Sequence, residues 1–238
     1  MKVTYLYHSG FAVELQKHVL IFDYIQGKLP VWDQDKTILF FASHKHQDHF
    51  VLQIFDYFSQ YKNIHYFLGP DIRLNENYLK RRGVEEAVLS AITRVGKRTV
   101  VRREDVSVET LRSTDEGVAF VVSAEGQTIY HAGDLNWWHW EGEEPAWNAR
   151  MKQDYQEEIE RISGRHFDAA FVPLDPRLGE SFHLGLKLFL EQTRADAVFP
   201  MHMWEDYAVI PRFLACETGR KYAGQVREIT AAGQEFEL

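Results

Sequence analysis

The stretch 37-TILFFASHKHQDHF-50 joins an apolar run to three histidines and an aspartate within six positions. The run 37-TILFFA-42 reads as a buried strand, rich in β-branched and aromatic residues. A turn leaving such a strand points His44 and His46 the same way, because alternate residues share a side. Apolar residues at 51, 52, 54, 55 and 58 fit one helical face, which places Asp48 and His49 at the start of a helix over 49–60, aimed back at the same cavity. Neutral imidazoles and a carboxylate suit Zn²⁺ and similar divalent ions. Split into two pairs, they would serve two ions roughly 3.5–4 Å apart. The bland alternative is a polar surface turn, and eleven histidines in the chain make some clustering expected. The spacing argues against it.

Outward from this point the chain alternates short apolar runs and turn residues. Strands are predicted at 3–8, 11–15, 18–23 and 64–68, then near 99–103, 106–112, 117–123 and 127–131, with Gly117 and Gly126 marking turns. A charged, exposed helix is predicted over 148–163, strands over 167–174 and 196–201, a helix over 184–194, and a last helix over 204–218, interrupted or started near Pro211. Each half has several strands, then helices, and each presents a His/Asp element at a strand end. The pattern predicts an α/β architecture of two sheets packed face to face with helices outside, forming one domain over 1–238. No linker, low-complexity tract or short repeat divides it.

The bulk numbers set bounds. Hydrophobic content is 45% and charged content 26%, ordinary for a globular protein. The net charge of −8 with no basic stripe predicts no extended nucleic-acid surface. Cys216 is the only cysteine, so no intramolecular disulfide and no Cys-rich zinc knuckle is expected. The N-terminus lacks a long apolar core and no run is long enough to span a membrane, so a cytoplasmic location and no membrane partner are expected. The expected partner is a small-molecule substrate; a homo-oligomer is left open.

The H-x-H-x-D-H string at 44–49 resembles the signature of the metallo-β-lactamase fold superfamily. Other elements fit in order. The family carries an aspartate at the end of an early strand, and 19-VLIFDY-24 supplies Asp23; a bridging aspartate after a glycine, and 127-QTIYHAGDLNWW-138 supplies Asp134; and a last histidine at a strand end, and 198-VFPMHMW-204 supplies His202. The opening 7-YHSGFAVEL-15 looks like the start of the branch that includes sugar-phosphate lactonases and other broad-specificity metal-dependent hydrolases, in which His8 matches a recurrent position. The resemblance implies a four-layer αββα sandwich of two mixed sheets. It implies His44, His46, Asp48, His49, Asp134 and His202 as ligands of one or two divalent ions, Zn or Mn. Asp23 is expected to orient ligands by hydrogen bonds.

One element departs from the family. Its further histidine, between the string and Asp134, is missing from 106-VSVETLRSTDEGVAF-120. Asp115 or Thr114 stands in, or the first site has only two histidines plus Asp134, or a single ion is held by Asp48, His49, Asp134 and His202. His8 and His131 read equally well as core histidines or as residues behind the site, and His183 as a helix cap or surface residue. Four of the six tryptophans lie in 136-NWWHWEGEEPAW-147. They pack the loop or wall the site, with Trp137 a candidate substrate contact. Arg177 is either a surface ion pair or a holder of an anionic substrate group.

The resemblance implies a metal-dependent hydrolase in which a metal-held hydroxide attacks an ester, lactone or phosphodiester, with Asp48 anchoring an ion and orienting the attacking oxygen. The alternative is a non-catalytic metal-binding protein with a degenerate first site. A di-iron oxidoreductase is disfavoured, because that branch tends to carry a carboxylate where His46 stands, and an appended flavin domain.

Overall fold

The computed structural model describes residues 1–238. Six strands of the first part, β1 (Lys2–Tyr7), β2 (Gly10–Glu14), β3 (His18–Phe22), β4 (Thr37–Ala42), β5 (Asn63–Leu68) and β6 (Ile92–Arg94), join the terminal β13 (Glu235–Glu237) in one sheet of order β13-β1-β2-β3-β4-β5-β6. A second sheet, ordered β12-β11-β10-β9-β8-β7, contains β7 (Val100–Arg103), β8 (Val106–Arg112), β9 (Val118–Ala124), β10 (Gln127–His131), β11 (His166–Pro173) and β12 (Arg194–Met201). Both sheets are mixed. Strands β3 to β6 run parallel, as do β10 to β12, and the flanking strands pair antiparallel.

The two faces of β4 show why the sheets pack as they do. Leu39 and Phe41 join the core shared with the second sheet, while Ile38, Phe40 and Ala42 join a separate apolar layer on the outside. Both faces are buried, so the strand reads as a continuous apolar run. Between the sheets the core is aromatic: Phe41 meets Phe120 edge-on at 5.3 Å and Phe11 meets Phe171 at 4.3 Å. Each such ring contributes about 1.5–3 kcal/mol on burial. Helices α2 (Pro145–Glu160) and α3 (Leu184–Gln192) cover the second sheet, where Phe189 stacks on Tyr130 at 5.0 Å. The outer layer of the first sheet lies under α1 (Glu76–Arg81) and two short 3-10 segments, Leu52–Tyr57 and Glu86–Ala91. The chain is thus the expected αββα sandwich.

Three helical expectations change. The helix over 49–60 shrinks to the 3-10 turn Leu52–Tyr57, because Val51 is extended and offers no capping acceptor. Asp48 and His49 therefore lie in the preceding turn, closed by His49 and Phe50 N–H groups donating to the His46 carbonyl. The helix over 204–218 splits into α4 (Val209–Ala215) and α5 (Glu217–Tyr222) at Cys216, whose extended backbone lets its sulfur cap Gly219 N–H. Helix α2 is not simply exposed: Tyr155, Glu158 and Ile159 are buried, and Glu158 pairs with Arg98 and accepts the backbone N–H of Arg112.

Strand direction sets where the functional residues gather. The parallel strands end on one edge, delivering Asp23 after β3, the 43–50 turn after β4, Asp134 after β10, Asp175 after β11 and His202 after β12. The antiparallel β1–β2 and β8–β9 turns bring His8 and Asp115 to the same edge. Gly117 lets the sheets close there: at φ +72° its Cα faces the Ser43 carbonyl, which an added Cβ would approach to 2.0 Å.

His131 ties this edge together. It is fully buried and stacks on Phe22 of the opposite sheet at 5.0 Å and 5°. Its Nε2 donates to the Ser9 carbonyl at 2.8 Å, and its Nδ1 accepts from Gly133 N–H at 3.1 Å. One neutral tautomer satisfies both bonds, and burial, which pushes its pKa down, keeps it neutral. The ring therefore links the turn carrying His8 to the turn carrying Asp134. His131→Phe keeps the stack but strands two buried backbone groups, each worth roughly 1–3 kcal/mol. Urea denaturation is expected to show a loss of about 2–6 kcal/mol; a loss below about 1 kcal/mol would mean the tie carries little.

Candidate metal centre

Eight side chains meet at the strand-end edge in two groups. One holds His44, His46, Asp115 and Asp134; the other holds His8, Asp48, His49 and His202, and within each group the donor atoms lie within 4.8 Å of one another. Asp134 stands between them. Its Oδ2 is 3.5 Å from His44 Nε2, while its Oδ1 is 3.1 Å from His49 Nε2 and 3.4 Å from His202 Nε2. In the first group His46 Nδ1 lies 3.0 Å from His44 Nε2 and 3.7 Å from Asp115 Oδ2. In the second, Asp48 Oδ2 lies 3.6 Å from His8 Nε2 and 3.9 Å from His49 Nε2.

The outer nitrogens of His44, His49 and His202 are spoken for. Asp23 is fully buried; its carboxylate accepts from Ser43 N and Ser43 Oγ, and pairs with His49 Nδ1, each at 2.7 Å. Ser43 Oγ sits 3.0 Å from His44 Nδ1. Asp175, also fully buried, takes His202 Nδ1 at 2.9 Å. With Nδ1 protons held by carboxylates, the Nε2 lone pairs of His49 and His202 face inward. This is the arrangement that orients a ligating histidine and raises its basicity.

The inner atoms, by contrast, have nothing. Both ring nitrogens of His8, Nε2 of His49 and His202, and Oδ1 of Asp134 are buried with no hydrogen-bond partner. Each such atom costs about 1–3 kcal/mol, and folded chains leave few. A cation placed among them would take one nitrogen each from His8, His49 and His202 and Oδ1 of Asp134, so the residues fit a divalent ion. The cluster His166, Asp168 and Asp196 behaves differently. There His166 bonds Asp196 directly and Asp168 accepts Thr128 N–H, leaving no converging orphans.

Electrostatics agree with that fit. Burial pushes the His8 pKa down to about 4 and, with His49 nearby, lowers that of His44, so both are neutral and able to donate a lone pair. Burial would also lower His49, but the Asp134 and Asp23 carboxylates override it and drive its pKa well up. Burial would raise Asp134, yet His49 and His202 hold it well below the usual carboxylate range. Negative charge in this cavity calls for a cation; a proton on His49 Nε2 supplies it in part, and a metal ion there would take that proton's place.

The backbone is strained where the site is built. His8, Asp23 and His202 all have positive φ, at 54°, 40° and 65°. Side-chain residues in such conformations cost of order 1–3 kcal/mol each and persist where surrounding structure fixes them.

The structure brings together His44, His46, Asp48, His49, Asp134 and His202. It also brings in Asp115, one of the two residues expected in place of a further histidine, and His8. Asp23 touches the histidines rather than the centre. Thr114 bonds the backbone of Asp134 and Asn136 instead of joining the cluster. Above the clusters lies a cavity of about 310 Å³ walled by Trp138, Trp140, Trp147 and Met151, with Arg177 on its rim. Trp137 is not part of that wall; its ring packs on the core and carries Lys152 Nζ at 5.3 Å. The tryptophan next in sequence faces the site, with Trp138 Nε1 donating to the Asp134 carbonyl and its ring edge-on to His202. Asp175 escaped the sequence reading as an orienting carboxylate; its place at a parallel strand end was the available signal.

No curated protein sequence matches the chain. Among solved structures it is similar to Igni18, a metallo hydrolase from the hyperthermophilic archaeon Ignicoccus hospitalis KIN4/I, at 17% identity and TM-score 0.62, covering 100% of this chain and 98% of that one. The metallo-beta-lactamase fold protein YhfI from Bacillus subtilis gives 12% identity and TM-score 0.61 over 99% and 98% of the two chains. CmlA, a diiron beta-hydroxylase from Streptomyces venezuelae, gives 12% identity and TM-score 0.64 over 100% of this chain and 54% of that one. At these identities the likeness establishes the fold. The family model of the beta-lactamase superfamily domain matches residues 2–140, more than half of the chain. Its strand-end histidines and aspartates therefore stand in a family frame: the chain belongs to the beta-lactamase superfamily.

Proposed function

We propose that the protein is a metal-dependent hydrolase of small substrates with an ester, lactone or phosphodiester bond. The observation that carries this reading is the convergence of buried, partnerless donor atoms from His8, His49, His202 and Asp134 beneath an open cavity. His44, His46, Asp115 and Asp134 would hold one ion; His8, Asp48, His49 and His202 would hold a second, with Asp134 shared. When bound, such ions polarise a substrate oxygen and bring the pKa of water near neutrality.

The chain's own residues supply the rest. Asp23 and Asp175 fix the tautomers of His49 and His202. Although partial burial opposes it, His8 and His49 hold the Asp48 pKa below the usual range, so its ionised carboxylate can accept a hydrogen bond from a water on the cavity floor and orient its oxygen. The tryptophan wall excludes bulk water from one side of the cavity. Asp115 replaces an imidazole with a harder oxygen donor, which moves the first site toward Mn²⁺ relative to a three-histidine site, with Zn²⁺ the other candidate. It also supplies the donor a degenerate site would lack, which argues against a non-catalytic metal-binding protein. A cytoplasmic setting fits the single cysteine. No helix is long and apolar enough to cross a membrane.

The reading is tested by metal analysis with a panel of generic ester, lactone and phosphodiester substrates. Turnover abolished by EDTA and restored by Zn²⁺ or Mn²⁺ is expected; tight metal with no turnover anywhere would favour the non-catalytic reading, and iron with a redox-active spectrum an oxidoreductase. His46→Ala and Asp134→Ala are expected to lose metal and at least about 100-fold in activity while circular dichroism stays native. Unchanged metal content in Asp134→Ala would contradict its shared position. Asp115→His is expected to shift the Zn²⁺-over-Mn²⁺ preference toward zinc in competition titrations, and an unmoved preference would remove Asp115 from the donor set.

A further inference from the structure

Arg177 is the one cationic side chain of Lys or Arg type on the rim of the 310 Å³ cavity. Its guanidinium is fixed from three sides. Nε lies 3.0 Å from both carboxylate oxygens of Asp175, and Nη2 and the backbone N–H also donate to that carboxylate. The rings of Trp140 and Trp204 lie 5.6 and 5.4 Å from its central carbon. Nη1 makes no hydrogen bond within the protein, and the side chain remains 48% exposed. A rim ion pair worth little would need none of this support. Here the side-chain entropy is already lost and one edge of the fork is left open, as recognition of an anion requires.

Position adds to the case. Asp175 Oδ2 touches both Arg177 and His202 Nδ1, so the guanidinium stands one carboxylate and one imidazole away from the donor cluster. An anion held there reaches the centre across a few bonds. Trp138, Trp140 and Trp147 line the same cavity as Arg177, Asp134 and His202, an apolar face suited to a ring or a short apolar body.

We propose that Arg177 selects substrates carrying an anionic group, a carboxylate or a phosphate, a few bonds from the scissile ester or lactone, with the body between them lying on the tryptophan wall. This rests on the hydrolase reading, because three carboxylates on the cavity floor repel an anion until cations balance them.

The test uses the metal-loaded protein and Arg177→Met, with Arg177→Lys as the second variant because an ammonium keeps the charge beside Asp175 but not the fork. Metal content is measured for each. Three esters are compared: a neutral aryl ester, the same ester bearing a carboxylate, and the same ester bearing a phosphate. The ratio of kcat/KM for an anionic ester over the neutral one is expected to fall at least about tenfold in Arg177→Met, carried by KM, and less in Arg177→Lys. The more affected ester names the anion. A ratio unchanged in both variants overturns the proposal. Tryptophan fluorescence titrated with benzoate and phenyl phosphate reads the same contact without turnover. A Kd at least about tenfold weaker in Arg177→Met is expected, and equal affinity, or no binding to the parent protein, overturns it. If none of the three esters is hydrolysed, the hydrolase reading is judged on the wider ester, lactone and phosphodiester panel, while the fluorescence titration decides the role of Arg177.

Discussion

Asp134 is the point at which the two sheets meet chemically. The first sheet delivers His44 and His49 to it, the second delivers the aspartate itself and His202. A carboxylate buried this deeply is costly unless opposite charge or hydrogen bonds surround it. Its immediate partners are imidazoles that do not align to bond it fully, which leaves Oδ1 without a donor. The rest of the strand-end edge is arranged around that one unmet demand. Asp23, Ser43 and Asp175 turn the imidazoles inward, and His131 fixes the turn from which Asp134 projects.

Such a centre is expensive to hold. Buried orphans and positive φ values each cost of order 1–3 kcal/mol. What offsets them is the aromatic core between the sheets and the apolar layers outside it, which do not depend on the site. This separation of scaffold and site explains why the strand ends can be strained while the strand bodies are regular. Folded stability is a small difference between large terms, so a bound cation would add directly to it.

Much of this was legible in the sequence. The run 37-TILFFA-42 coincides with β4, and the predicted strands from 99 to 131 fall within about a residue of β7 to β10, because alternating burial and glycine turns are local signals. Short elements such as α1, β6 and β13 left no periodic pattern and are held by tertiary contacts. The 44–49 string and its distant partners Asp134 and His202 were legible because strand ends in a parallel sheet share an edge. Other features were not. Asp115 and Thr114 looked equivalent until the β8–β9 turn placed one carboxylate beside His46. Trp137 and Trp138 are neighbours in sequence, and only the path of the loop decides which one faces the cavity. The buried role of Asp175 depends on a contact across twenty-seven residues, which no window of sequence records.

The central claim is that these side chains enclose divalent cations. Anomalous diffraction at the zinc and manganese edges, from crystals grown with each ion, tests it most directly. Two peaks are expected on either side of Asp134, one among His44, His46 and Asp115, the other among His8, Asp48, His49 and His202. Peaks only at the exposed His166–Asp196 edge, or none at all with the strand-end histidines ordered, would contradict it.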